Sequence, residues 1–284
     1  IDPIRTGAHL WCQLFSEPDA GSDLSSLRTS ARLDGDEWVI NGQKVWTSGG
    51  THADMGMLLA RTDPNSYRHD GISYFLIDMK TPGIDVRPLV QINRAAHFNE
   101  VFLNDVRIPK AALIGEVGKG WTVARTTLSA ERAMIGSMSV VDQVMNLAEL
   151  ARKAGLLDDR VLRQRLAAAY THAAIVGYTG DRIQASVRGG GQVGPEGSIM
   201  KLSISHMVEE LGELAMTVAG NDGMLTGASE GERYGLLQET FLGQWSSRIG
   251  GGTDQMQRNM IGERVLGLPR DQRPPAPTPS HAVA

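Results

Sequence analysis

ARLDGDEWVINGQKVWTS, Ala31 to Ser48, decides how this chain is read. Asp34-Gly35 and Asn41-Gly42 each stand between short alternating runs. Such dipeptides mark hairpins, because Asn, Asp and Gly enter left-handed backbone at low cost. Both are read as turns. Outward from them, GMLLART (Gly56–Thr62), GISYFLIDM (Gly71–Met79), DVRPLV (Asp85–Val90) and EVFLNDVRIP (Glu100–Pro109) continue the pattern, with Pro64, Pro82 and Pro88 at the breaks. Short strands without helical insertions predict an antiparallel β-barrel or sandwich.

From Gly120 the period becomes helical. The stretch Gly120–Gly155 reads as one helix, Asp158–Gly191 as a second and Glu196–Gly220 as a third, with one or two shorter helices beyond. Such a series predicts an antiparallel bundle. The expected fold class is therefore α+β: a β-barrel or sandwich domain over 1–112, a four-helix-bundle domain over 113–270, and a Pro-rich tail over 271–284.

A chain of 284 residues, 41% hydrophobic and 21% charged, can bury a sizeable core and is not of disordered composition. A net charge of -4 without a basic cluster argues against nucleic acid as partner. No apolar run approaches the roughly 18 residues that span a bilayer. Cys12 is the single cysteine, read as a small buried apolar residue, and the histidines lack metal-site spacing, so no metal is expected. The chain begins at Ile1 without a targeting segment and reads as part of something longer. An excess of arginine over lysine fits a bacterial protein, with the cytoplasm as expected location.

Three features resist a purely structural account. Gly250, Gly251 and Gly252 stand in a row before a helical segment, although glycine weakens helix and strand alike. Glu131 falls on the apolar stripe of Leu128, Ile135, Met138 and Met145, where a carboxylate is either paired with an arginine or used as a base. Between turn residues, CQLFSEPDAGSD (Cys12–Asp23) also supplies hydroxyls and backbone N–H groups suited to phosphates or a polar ring edge, or else it is an ordinary surface loop.

Six segments together resemble the acyl-CoA dehydrogenase family: CQLFSEPDAGSD, WVINGQKVWTSGG (Trp38–Gly50), FNEVFLNDVRIP (Phe98–Pro109), GEVGKGW (Gly115–Trp121), AERAM (Ala130–Met134) and GGTDQMQRNMIGERVLGLP (Gly251–Pro269). They occur in the family's order and cover about residues 8 to 270. The resemblance implies the family's middle β-barrel and C-terminal bundle, without its N-terminal helical domain. It implies oxidation of an acyl-CoA thioester to the trans-2-enoyl-CoA in lipid metabolism. A carboxylate takes the α-proton, the β-hydrogen leaves as hydride to FAD, and electrons pass to an electron-transfer flavoprotein.

Carried over by motif, Gln13, Phe15 and Ser16 lie along the flavin edge, and Gly21 and Ser22 meet the ribityl–pyrophosphate region, with Ser22 also toward the substrate. Trp46 packs near the isoalloxazine and Ser48 near N5. Many members carry the base in a Tyr-Glu-Gly-Thr motif that reads Gly250, Gly251, Gly252, Thr253 here. Long-chain and isovaleryl-type members instead place it on the first bundle helix, at the position of Glu131. The resemblance thus implies Glu131 as base, with Gly251 as its clearance and as N–H donor to the thioester oxygen. Thr253 and Gln255 match contacts to a neighbouring subunit's FAD, and Arg132 matches an arginine near CoA, a bundle salt bridge being its alternative.

Gly136 and Ser137 either widen the acyl channel or serve helix packing. Three departures from the family pattern are Arg152 as a loose substitute for an arginine on the pyrophosphate, Thr217 and Asn221 in place of a glutamine and a glycine, and Gly250 in place of a tyrosine. They leave open a homotetramer or an α2β2 heterotetramer. An acyl-CoA oxidase or flavin monooxygenase of the same fold, and a non-catalytic subunit completing a partner's site, are the alternative readings.

Overall fold

The computed structural model describes residues 2–66, 68–135, 140–191, 193–225 and 231–270, and the side chains of these except at 129–135 and 231–236. Two compact units emerge, Ile1–Thr127 and Leu128–Leu268, and each has its own hydrophobic core. The tail 271–284 lies outside the described residues, as do Gly136, Ser137 and Met138.

The first unit contains one helical turn, α1 (Asp2–Arg5), and then β1 (Trp11–Leu14), β2 (Ser30–Asp34), β3 (Glu37–Ser48), β4 (Met55–Arg61), β5 (Ile72–Asp78), β6 (Ile84–Leu89), β7 (Phe98–Pro109) and β8 (Leu113–Ile114). The sheet order is β6-β7-β3-β2-β4-β5-β8, with β1 added to β4. Pairings are antiparallel except at β4, where β1 and β2 run parallel. These two share one edge of β4, β1 along Met55–Leu58 and β2 through Ser30 opposite Arg61, while β5 lines the other edge. Neither reaches β4 through a tight turn, so no turn imposes the antiparallel sense.

Asp34-Gly35 forms the expected turn: Asp34 pairs with Glu37 and Gly35 has φ +62°. Asn41-Gly42 does not, because β3 continues through it. The register with β7 shifts between Ile40 and Gly42, so the dipeptide is a bulge. Asn41 locks it by exchanging two hydrogen bonds with Asp105, both at 2.9 Å. Glycine is required at 42 because a Cβ there would lie 2.7 Å from Thr29 Cα. Across the bulge the buried parity of β7 switches from Asn99, Val101 and Leu103 to Val106 and Ile108, which keeps both halves on the core. Pro88 does not break β6 but lies within it, on an edge strand where its missing N–H is tolerated.

The following helix α2 (Gly120–Ile135) contains the border between the units. The second unit continues with α3 (Val140–Lys153), α4 (Arg160–Arg188), α5 (Glu196–Ala219), α6 (Gly231–Ile249) and α7 (Asp254–Arg264). Thus the stretch read as one helix appears as α2 and α3, with 136–139 outside the described residues. Asp159 caps α4 by accepting from the N–H groups of Val161 and Leu162 at 2.7 and 3.2 Å. Four helices, α3 to α6, contribute to one core. Met145, placed on the buried stripe from periodicity, is 53% exposed. The stripe of α3 is Val140, Val144, Leu147 and Ala151, which leaves Met145 on another face.

Candidate functional site

In the first unit the site begins where β1 ends. Val45 N–H donates to the Ser16 carbonyl at 2.9 Å, and Lys44 Nζ donates to the Phe15 carbonyl at 3.0 Å and to Glu17 Oε1 at 2.8 Å. Glu17 also accepts the backbone N–H groups of Arg28 and Thr29 at 2.6 and 2.9 Å. Two backbone bonds between Glu17 and Ala20, at 3.1 and 3.0 Å, close the proline turn. The loop is therefore pinned at both ends, while Gly21 and Ser22 are exposed and a Cβ at Gly21 would meet nothing within 4 Å. Gln13 is half-buried on β1, and Phe15 is buried edge-on against Tyr74, their centroids 5.9 Å apart.

Burial raises the Glu17 carboxyl, but the Lys44 charge and the hydrogen bonds from Lys44, Thr29 and Arg28 outweigh it and hold it below its ordinary value. Burial brings the Lys44 ammonium down to about 8, against the upward pull of Glu17. Cys12 is buried and pushed up to about 11 by desolvation, as befits an inert thiol.

Immediately after Lys44 and Val45 the strand slips again, between Lys44 and Thr47. Trp46 has φ +61°, a conformation costing roughly 1–2 kcal/mol for a bulky side chain. It is 61% exposed and edge-on to Phe98 at 5.9 Å. A strand tryptophan usually points into a core; this one is turned outward by a strained bulge, with exposed Ser48 two residues on.

In the second unit the glycines form the turn between α6 and α7. Gly251 and Gly252 have φ +63° and +89°, so the backbone itself calls for glycine at both. Gln257 Nε2 donates to their carbonyls at 3.3 and 3.1 Å, and a Cβ on Gly252 would fall 2.7 Å from that nitrogen. Thr253 caps α7 by accepting from Met256 N–H at 3.2 Å. Below the turn, buried Asp254 accepts from Ser205 at 2.6 Å and Arg248 at 2.9 Å and lies 3.5 Å from Lys201. Arg248 also reaches Glu209 at 2.6 Å. Burial raises the Asp254 carboxyl, and these hydrogen bonds and charges more than offset it. Gly251 and Gln255 are exposed and Thr253 half-buried.

Glu131 and Arg132 lie on α2, and their side chains are outside the described residues. Arg152 is held by Glu149 through two bonds of 2.7 and 2.8 Å, and Thr217 accepts from Arg165 at 3.2 Å. Asn221 sits in a 3-10 turn, Gly220–Met224. Sequence reasoning missed Glu17–Lys44 and Arg248–Asp254, which position the quoted segments. A lysine adjoining the apolar run of β3 was the one available signal for the first pair.

The sequence matches the description Acyl-CoA dehydrogenase, middle domain, over residues 12–106, and Acyl-CoA dehydrogenase, C-terminal domain, over residues 118–266. The chain belongs to the acyl-CoA dehydrogenase family. Among similar acyl-CoA dehydrogenases, IpdE1 of Mycobacterium tuberculosis (strain ATCC 25618 / H37Rv) is 43% identical over 275 residues, covering 95% of this chain and 70% of that protein. The Tcur3481-Tcur3483 steroid ACAD superposes with a TM-score of 0.88 at 27% identity, over 95% of this chain and 71% of that one. The ChsE4-ChsE5 complex from Mycobacterium tuberculosis gives 0.83 at 29%, over 94% and 71%. Membership makes the chain a flavin-dependent oxidoreductase of the acyl-CoA dehydrogenase type, with the β domain and helical domain of that fold. The first unit fits a flavin on its own features: an outward indole held by strained backbone, and open space over Gly21. Among the described residues no helix is long and apolar enough to cross a membrane.

Proposed function

We propose that this acyl-CoA dehydrogenase introduces a trans double bond between Cα and Cβ of an acyl-CoA thioester, with Glu131 as the base that takes the pro-R α-proton. When bound, FAD supplies the acceptor for the β-hydride and passes the electrons to an electron-transfer flavoprotein. Gln13, Phe15, Ser16, Trp46 and Ser48 hold its ring edge, and Gly21 and Ser22 its ribityl–pyrophosphate region. Thr253 and Gln255 serve the FAD of a neighbouring subunit. Gly251 N–H donates to the thioester oxygen as negative charge develops there, an interaction typically worth about 10²–10³ in rate. Arg132 and Ser22 face the CoA portion. The cytoplasm is the proposed location.

One observation carries this reading. Gly251, with no side chain and φ +63° in the turn after α6, matches by motif the glutamate of the family's Tyr-Glu-Gly-Thr segment, which supports a carboxylate supplied from elsewhere. Glu131 on α2 stands at the family's other base position. The likeness to a steroid ACAD supports a bulky polycyclic acyl group as substrate.

The assembly is a tetramer, and an α2β2 heteromer is the second reading beside the homotetramer. Arg152 is paired within its own helix and Thr217 stands in place of a glutamine, so the residues a chain lends to its neighbour's FAD are altered.

The test is FAD content and dye-coupled turnover of full-length protein, wild type beside Glu131→Gln, with simple and steroid-side-chain acyl-CoA substrates. Retained FAD with turnover down by several decades is the expected result. Unchanged turnover in Glu131→Gln removes the assignment. A wild type that holds no FAD alone but does so when co-expressed with a related subunit selects the heteromer, and turnover supported by oxygen in place of the dye selects an oxidase.

A further inference from the structure

Lys44 and Glu17 lie within segments assigned to the flavin, yet Lys44 has no accessible surface and Glu17 is 7% exposed. A buried ion pair is a weak source of stability, because desolvation offsets the attraction. Its place in the chain says more. Three consecutive loop residues, Phe15, Ser16 and Glu17, are held by two consecutive strand residues, Lys44 and Val45. The next strand residue is the left-handed Trp46. Glu17 also fixes the far end of the loop through Arg28 and Thr29, and Thr29 is packed so closely on β3 that Gly42 has no room for a Cβ.

We infer that Glu17 and Lys44 are positioning residues, which set Ser16 and the Gly21–Ser22 turn in register with Trp46 and Ser48. They act on the reaction only through those side chains. The inference rests on the proposal that those side chains face the flavin. A shift of about 1 Å between the two pieces would misplace the flavin contacts, and misplacements of that size cost about 10²-fold in rate.

The test uses full-length holoenzyme. Lys44→Met alone leaves a buried carboxylate unpaired and can fail to fold, so the deciding variant is Glu17→Gln/Lys44→Met, which removes both charges at similar volume. It is expected to fold and hold FAD, with a shifted flavin absorbance band and reduction potential. Its kcat should fall about 10²-fold at near-constant KM. A wild-type flavin spectrum and wild-type kcat in that variant overturn the inference. Should it not fold, Glu17→Gln takes its place with the same readouts, and failure of both to fold makes the pair structural and overturns the inference as well. Trp46→Phe and Ser48→Ala are the controls: if neither alters the flavin spectrum, the reading of the flavin face fails on its own account.

Discussion

Arg248, near the end of α6, and Asp254, the first residue of α7, are joined at 2.9 Å across the glycine turn. The bond spans the turn, and Gln257 holds the carbonyls of Gly251 and Gly252. Asp254→Asn keeps the volume but weakens the bonds from Arg248 and Ser205. The helical unit should lose roughly 1–3 kcal/mol, the range for an unsatisfied buried partner. Chemical denaturation checks the loss, and kcat should fall with it because Gly251 is carried by that turn.

Gly252 carries two costs. Gly252→Ala meets left-handed strain, on the order of 1 kcal/mol. It also presses on Gln257, so its melting temperature should drop further in the wild-type background than in Gln257→Ala. Equal drops in differential scanning calorimetry would remove the role given to Gln257.

Trp46→Gly should dissociate stability from function. It relieves the φ +61° backbone and gives up an indole that is mostly exposed, so the denaturation midpoint should hold or rise. FAD affinity, followed by flavin fluorescence on dilution, should fall.

The buried pair makes stability rise with pH in two separate windows, one acidic and one alkaline. Glu17 is depressed from its ordinary 4.5, so its contribution is present above that value and lost as pH falls through the folded one. Lys44 is brought from 10.5 down to about 8, so between these values the unfolded chain binds more protons and stability rises with pH. Glu17 is the charged group facing Lys44, and Arg61 in turn feels Glu17. Urea midpoints of wild type minus those of Glu17→Gln/Lys44→Met should therefore climb from about pH 8 to 10.5. A flat difference would show that Lys44 keeps its ordinary value.

Cys12, pushed to about 11 by burial, should not react with iodoacetamide in the native protein at pH 8 and should react once the chain is unfolded in urea. Labelling followed by mass spectrometry reads this directly.

Much of the fold was legible in local chemistry. Asp34-Gly35 is a two-residue turn whose cause lies within four positions, and Asp159 and Gly220 announce the ends of helices. Asn41-Gly42 carries the same local signal, but its conformation is set by Asp105 and Thr29, distant in sequence, and there the local reading fails. Met145 was misplaced because the buried face of α3 is set by packing of Val140, Val144, Leu147 and Ala151 in the helical core, which its own sequence period does not fix relative to Glu131. At the candidate site, the segments could be recognised as a set, and Trp46 could be named. That its backbone is left-handed, and that Lys44 beside it is wholly buried on a carboxylate, depend on how β3 meets the loop after β1.

β3 also governs the order in which this unit can assemble. Its pairing with β2 closes across a tight turn and can form early, whereas its other edge must await β7, with Glu37 meeting Pro109 far along the chain. Such non-local pairing is the slow kind. Thr47 and Ser48 pair with Asn99 and Phe98 of β7, and Trp46 lies in the register shift just before them. The proposed flavin face can therefore complete its strand pairing only once β7 is present.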